Sequence, residues 1–139
     1  NKLRATKFRA TPCLSPFMKT ILIADDDAHI ITALKRRLEA NHYRVLTAAD
    51  GFEALKITLE QKPDLIILDV WMPVGIGFSV ADRVREHQLN IPIIFLTASK
   101  TDGLVEAARE VGAVGYIEKP YDPEDLLYMI DGALNMQPA

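Results

Sequence analysis

The chain of 139 residues is long enough for one well-buried core and too short for two. Hydrophobic residues make up 49% of it and charged residues 25%, a balance typical of a globular domain rather than a disordered or fibrous chain. No apolar run approaches the roughly 20 residues that a membrane helix needs, and the single cysteine, Cys13, excludes an internal disulfide. We therefore expect one globular domain without a membrane partner, located in the cytoplasm.

Charge is distributed unevenly along the chain. Residues 1–17 carry basic side chains and no acid, whereas the remaining 12 basic and 19 acidic residues leave a charge of −7. That acidic part lacks the clustered Lys and Arg that bind phosphates, so we expect no direct nucleic-acid binding by it. We interpret residues 1–17 as a basic N-terminal extension or a vector remnant, with capture of an acidic partner as the functional alternative. Residues 18–136 are predicted to fold, and residues 137–139 to form a tail.

Five short apolar runs alternate with segments of helical periodicity from Met18 onward. The runs predict strands at residues 21–24, 45–48, 65–68, 93–96 and 114–117, and each strand is followed by a predicted helix. Continuous apolar runs are typical of strands covered on both faces, and strict alternation requires right-handed crossovers into a parallel sheet. Asp27, Asp50 and Asp122 stand where they can cap the first, second and fifth helices. The prediction is an α/β, three-layer, doubly wound fold around a five-stranded parallel sheet.

Polar side chains follow four of the five predicted strands. Strand one leads into Asp25, Asp26 and Asp27, strand three into Asp69, strand four into Thr97 and strand five into Lys119. In the strand order 2-1-3-4-5, one of the two common doubly wound orders, strands one and three lie about 4.8 Å apart. The carboxylates of Asp25, Asp26 and Asp69 then converge. Lys119 starts roughly 10 Å from Asp69, a gap that its long side chain can largely close.

The converging carboxylates predict a magnesium site. Like charges a few ångströms apart either raise a pKa or recruit a cation, and ligands that are all oxygen atoms indicate Mg²⁺ rather than zinc. Mg²⁺ also prefers a phosphate oxygen as a further ligand, which points to metal-assisted phosphoryl chemistry with one carboxylate as the acceptor. The structural alternative is a cluster of acids that only complements the dipole of the first helix.

The motifs, taken in order, match a known family. They are Ile-Leu-Ile-Ala-Asp-Asp-Asp from residue 21, Asp69-Val-Trp-Met-Pro with Gly77 beyond, Thr97-Ala98, and Tyr116-Ile-Glu-Lys-Pro. Each piece alone is weakly specific, whereas the ordered set at the predicted strand ends is highly specific. Over residues 18 to about 136 the chain resembles the receiver domain of two-component response regulators.

The resemblance implies a flavodoxin-like (βα)5 fold and a phosphoacceptor switch rather than an enzyme acting on an external substrate. Asp69 would accept a phosphoryl group from a phosphohistidine on a sensor histidine kinase or a phosphotransfer protein. Asp26 would bind Mg²⁺, or Mn²⁺ in its place, directly and Asp25 mainly through water. Asp69 and the backbone carbonyl of Trp71 would complete the protein ligands.

The resemblance also implies how the phosphoryl group is held and read. Thr97 and Lys119 would contact phosphoryl oxygens and assist both phosphorylation and dephosphorylation, and the Lys119–Pro120 bond would be cis. Thr97 and Tyr116 would then move together and change the surface of helix four, strand five and helix five. An output domain or a target protein would read that surface, with transcription regulation as one output.

Several other interpretations are weighed against this one. A flavin-binding domain of this architecture needs a Ser/Thr/Gly-rich loop after strand one, whereas the loop of this chain is acidic. An aspartyl-phosphate hydrolase would have the pattern Asp-x-Asp-x-Thr after strand one, whereas Ala28 and His29 follow the aspartates of this chain. A partner-binding receiver without phosphorylation and the receiver part of a hybrid sensor kinase remain as alternatives. Thr97 and Tyr116 could also serve packing alone. The segment before Tyr116 lacks the Asp-Asp pair of regulators that form a salt-bridged dimer through the fourth helix, which argues against that dimer.

Overall fold

A computed structural model describes residues 18–70, 77–98 and 103–135, with side chains omitted at residues 77 and 78. Strands and helices alternate along these residues. In chain order they are β1 (Thr20–Ala24), α1 (Ala28–Ala40), β2 (Arg44–Ala48), α2 (Gly51–Gln61), β3 (Leu65–Asp69), α3 (Gly77–Glu86), β4 (Ile93–Thr97), α4 (Leu104–Glu110), β5 (Gly115–Glu118) and α5 (Pro123–Asn135). The alternation predicted from the sequence is confirmed.

The five strands form one parallel sheet in the order β2-β1-β3-β4-β5. Strand β1 therefore lies between β2 and β3, with Ala24 paired to Ala48 on one side and to Leu68 on the other. Because the strands are parallel, their carboxyl ends share one edge of the sheet. The predicted strand order is thus confirmed, and it places the residues after β1 next to the end of β3.

Two apolar cores cover the two faces of the sheet. Alternate strand residues point to opposite faces, so the neighbouring residues Leu22 and Ile23 enter different cores. On one face the strands pack against α2, α3 and α4, and on the other they pack against α1 and α5. Each residue of β3 and β4 is buried. The continuous apolar runs are thus explained by helices on both sides, as predicted.

Aspartate side chains cap the amino ends of three helices. The Asp27 side chain accepts hydrogen bonds from the backbone N–H groups of His29 and Ile30 at the start of α1. Asp50 accepts from the N–H of Glu53 at the start of α2, and Asp122 accepts from the N–H of Glu124 at the start of α5. Each bond satisfies an N–H group that has no partner within its helix. All three predicted caps are confirmed.

Strand β5 begins one residue later than the sequence predicted. The apolar run suggested a start at Val114, but the strand runs from Gly115, and Val114 is 54% exposed. The N–H of Val114 still donates to the carbonyl of Ile93, so this residue aligns the approach to the strand without belonging to it. An edge strand is covered less completely than a central one, so hydrophobicity marks its ends less sharply.

Both predicted terminal segments, the basic segment 1–17 and the tail 137–139, lie outside the described residues. Within the described residues, no helix combines the length and the apolar character needed to cross a membrane.

The central strand β4 offers a test of this core. Phe95 is fully buried, whereas Phe52 at the start of α2 is 70% exposed. We expect Phe95→Ala to lower the free energy of unfolding by about 3–5 kcal/mol, because it removes a large buried ring and leaves a cavity. Phe52→Ala, the matched control, should change it by less than about 0.5 kcal/mol. Urea denaturation measures both values, and similar losses in the two variants would contradict this packing.

Candidate functional site

The acidic residues after β1 and at the end of β3 meet at the carboxyl edge of the sheet. Because Ala24 pairs with Leu68, Asp25, which follows β1, lies beside Asp69, the last residue of β3. The N–H of Asp25 donates to the carbonyl of Ala48, which fixes the chain just beyond β1 against β2. The predicted convergence of the two strand ends is therefore present in the structure.

Three carboxylates form the centre of the site. One oxygen from each of Asp25, Asp26 and Asp69 lies within 4.8 Å of the others. Asp25 is fully buried and Asp69 is 5% exposed, whereas Asp26 is exposed to solvent. The cluster thus has a dry inner part and an open outer part, through which an ion or a small anion can enter.

The Lys119 ammonium group lies between the two buried carboxylates. Its Nζ atom is 2.9 Å from Oδ2 of Asp25 and 3.8 Å from Oδ1 of Asp69. The backbone N–H of Lys119 donates to the carbonyl of Thr97, which ties the end of β5 to the end of β4. The Lys119–Pro120 peptide bond is cis, as predicted. The long lysine side chain closes the distance from β5, but its closest partner is Asp25 rather than Asp69.

Both oxygens of Asp25 have hydrogen-bond partners within the protein. Oδ2 accepts from the Lys119 ammonium group, and Oδ1 accepts from the backbone N–H of Asp27 at 2.9 Å. A buried carboxylate without such partners would carry a large desolvation cost. Asp25 is therefore held in one orientation by two elements, the turn into α1 and the end of β5.

Tyr121 is a neighbour of the site that the sequence analysis missed. Burial raises the pKa of its phenol above the ordinary value, and the negative charge of Asp25 raises this pKa further, whereas Arg37 lowers it. The ring packs against the core on the α1 and α5 side. Pro120 alone separates Tyr121 from Lys119 along the chain, and no sequence spacing indicated the nearness of Tyr121 to Asp25.

The other predicted residues occupy the following positions. Thr97 is fully buried at the end of β4, one residue beyond Leu96, which pairs with Asp69. Tyr116 is half-buried on β5 and packs against the core on the α2, α3 and α4 side. The Trp71 carbonyl, predicted as a metal ligand, lies outside the described residues.

The donors at this site fit a hard divalent cation. They are carboxylate oxygens, which Mg²⁺ and Mn²⁺ accept as ligands, and one of the three carboxylates is open to solvent. Among the described residues, the site holds three carboxylates and one ammonium group, which contacts Asp25 and Asp69, so it retains net negative charge when all three acids are ionised. A bound divalent cation would offset that charge.

Comparison with known proteins gives the same result as the motifs. The family model described as the response regulator receiver domain matches residues 21–131. The alkaline phosphatase synthesis transcriptional regulatory protein PhoP of Bacillus subtilis is 42% identical over 108 residues, covering 78% of this chain and 45% of that protein. The transcriptional regulatory protein AfsQ1 of Streptomyces coelicolor is 45% identical over 103 residues, covering 74% and 45%. The chain spans about half the length of these curated relatives or slightly less.

Solved structures agree with this assignment. The chemotaxis protein CheY4 of Vibrio cholerae has a TM-score of 0.80 and 36% identity, and the match covers 84% of this chain and 99% of that one. A CheY-like receiver domain protein of Methanospirillum hungatei has a TM-score of 0.82 and 30% identity, covering 85% and 94%. The fold, the order of the strands and the sequence match all lead to one assignment: the chain belongs to the response regulator receiver domain family of two-component systems.

Proposed function

We propose that Asp69 accepts a phosphoryl group from a phosphohistidine on a sensor histidine kinase or a phosphotransfer protein. The observation that carries this proposal is the position of its carboxylate. Asp69 is the last residue of the central strand β3. One of its carboxylate oxygens lies within 4.8 Å of oxygens of Asp25 and Asp26, and Oδ1 is 3.8 Å from Nζ of Lys119. Asp69 is only 5% exposed, so a small phosphoryl group reaches it more readily than a bulky substrate does.

The proposed step is a displacement at phosphorus. An oxygen of the Asp69 carboxylate forms a bond to phosphorus while the bond from phosphorus to the histidine nitrogen breaks, and the departing imidazole takes up a proton. Attack by water later releases inorganic phosphate and restores the carboxylate. The protein thus assists its own phosphorylation and dephosphorylation and does not turn over an external substrate.

Asp25, Asp26, Asp69 and the Trp71 carbonyl are proposed to hold Mg²⁺, with Mn²⁺ as a substitute. When bound, the ion would offset negative charge on the phosphoryl oxygens as they approach the acidic cluster. Lys119 is proposed to pair with one phosphoryl oxygen, which its position 3.8 Å from Asp69 supports. Thr97 is proposed to donate its hydroxyl to another, since it is buried at the adjacent strand end.

We propose that binding partners recognise the phosphorylated state at the surface of α4, β5 and α5. Movement of Thr97 toward the phosphoryl group would open space for Tyr116, which lies half-buried on the neighbouring strand. These partners would be an output domain or a target protein in the cytoplasm. Transcription regulation is the proposed output because the relatives PhoP and AfsQ1 are named as transcriptional regulatory proteins. A partner-binding receiver that is never phosphorylated and the receiver part of a hybrid kinase are the competing functions.

Phosphorylation by a small donor tests the acceptor directly. Incubated with acetyl phosphate and Mg²⁺, the protein should gain one phosphoryl group by intact mass spectrometry, and Asp69→Asn should gain none because the amide is not a competent nucleophile. Asp82→Asn, which changes an exposed acid on α3, should behave as the parent does. An unlabelled parent would favour the partner-binding alternative, and a labelled Asp69→Asn would identify another acid as the acceptor.

Metal affinity tests the contact between Lys119 and Asp25. The ammonium group pairs with Oδ2 of Asp25, so it opposes a divalent cation at the same carboxylates. We expect Lys119→Gln to bind Mg²⁺ at least about fivefold more tightly in isothermal titration calorimetry, since one nearby positive charge is removed. The same variant should be phosphorylated more slowly.

The control for this titration is Lys56→Gln, which removes the same charge from the exposed face of α2. Its Mg²⁺ affinity should match that of the parent. Equal or weaker binding by Lys119→Gln would show that the lysine does not oppose the ion at these carboxylates.

A further inference from the structure

A cavity of about 540 Å³ lies at the edge of the sheet opposite the acidic cluster. It is bounded by α3, by the segment that leads into β4, and by the turn from α4 into β5, with Ala133 of α5 at one side. Pro92 and Val114 directly precede β4 and β5, so the cavity belongs to the amino ends of these strands. The phosphoryl chemistry proposed above takes place at their carboxyl ends and does not use this space.

The lining of the cavity is mostly apolar. Its floor consists of Ala81, Val84 and Ile93, which are almost fully buried. Toward the opening, the partly buried side chains of Leu89 and Ile91 continue the apolar lining. A volume of several hundred Å³ with such a wall is in the range that holds a small organic molecule.

Arg85 supplies a positive charge at the rim, and among the described residues that line the cavity it is the one charged side chain. Its Nη1 atom donates to the backbone carbonyl of Glu110, the last residue of α4. Its aliphatic stem lies over Gly112, where a Cβ atom would be 3.5 Å from Cδ of the arginine. The guanidinium group is therefore tied to the turn after α4 while its other N–H groups remain for a further acceptor.

We infer that this cavity binds a small organic anion with an apolar body and a single carboxylate or similar head group. The hydrocarbon lining suits the body, because burial of apolar surface is favourable. The head group would accept hydrogen bonds from the guanidinium of Arg85, a charge-assisted contact that is stronger than a neutral one. Since Arg85 is already held by Glu110, little side-chain freedom is lost when the anion binds.

The shape of the site favours a small molecule over a second copy of the chain. A volume of about 540 Å³ with the charged side chain of Arg85 at its rim matches a single apolar body with one anionic head group, whereas a second copy would present a larger surface. An anion bound there would contact both α3 and the turn between α4 and β5. That turn joins α4 to β5, two of the elements that are proposed to change with phosphorylation, and it lies at the end of the sheet opposite Asp69.

The test is an NMR titration of the full chain with 4-phenylbutyrate, compared with the neutral analogue 4-phenylbutan-1-ol. The inference predicts saturable shifts of backbone amides that line the cavity, such as those of Val84, Val111 and Val114. The alcohol should bind about tenfold more weakly, because it lacks the charge that Arg85 recognises. Shifts that do not saturate, or that centre on the acidic cluster, would overturn the inference, as would equal affinity for acid and alcohol.

Two variants separate the guanidinium of Arg85 from general charge. Arg85→Gln should weaken binding of 4-phenylbutyrate about tenfold and leave binding of the alcohol unchanged. Arg83→Gln is the matched control on the same helix, since Arg83 is exposed and pairs with Glu86 at 3.9 Å. Equal losses in the two variants would contradict the role of Arg85. Dimerisation in sedimentation velocity that 4-phenylbutyrate does not reverse would assign the groove to a second copy instead.

Discussion

The contact between the Lys119 ammonium group and the buried carboxylate of Asp25 links the ends of β1 and β5 across the top of the sheet. The two residues are 94 positions apart in the chain, and their 2.9 Å contact forms only when β1, β3, β4 and β5 lie in their observed order. The contact compensates a fully buried negative charge that would otherwise be costly. Formation of the site and completion of the fold therefore depend on each other.

This arrangement gives Asp25 and Asp69 different surroundings although both are buried acids at strand ends. Asp25 is held from two sides, by the Asp27 N–H and by Lys119. Asp69 lies farther from the lysine and next to the solvent-exposed Asp26. A group that must react benefits from access, which the exposed neighbour Asp26 provides beside Asp69. The geometry thus supports Asp69 as the acceptor and Asp25 as a supporting acid.

The two edges of the sheet provide different chemical environments. At the carboxyl edge, acids from β1 and β3 and a lysine from β5 form a polar centre suited to an ion and a phosphoryl group. At the amino edge, α3 and the approaches to β4 and β5 leave an apolar cavity with Arg85 at its rim. Strand β4 contributes to both edges, with Ile93 in the cavity and Thr97 at the carboxyl end. A ligand in the cavity would therefore contact an element of the polar centre without competing for the same atoms.

Local sequence determined the secondary-structure elements of this protein and the caps of three helices. The alternation of apolar runs and helical periods predicted the elements, and Asp27, Asp50 and Asp122 cap helices where their positions indicated. These features depend on neighbours within a few residues, which is why a single chain reveals them. The start of β5 was predicted one residue too early, because the exposed Val114 is apolar although it precedes the strand.

Other features were decided only by the tertiary structure. The sequence predicted that Asp25, Asp69 and Lys119 share one edge of the sheet, but not that the lysine pairs more closely with Asp25. It also gave no sign that Tyr121 lies near Asp25, or that Arg85 reaches the carbonyl of Glu110 beside an apolar cavity. Such contacts depend on the relative placement of elements and on side-chain directions. Spacing along the chain does not encode them, because distant segments meet only after the sheet and its two layers of helices have assembled.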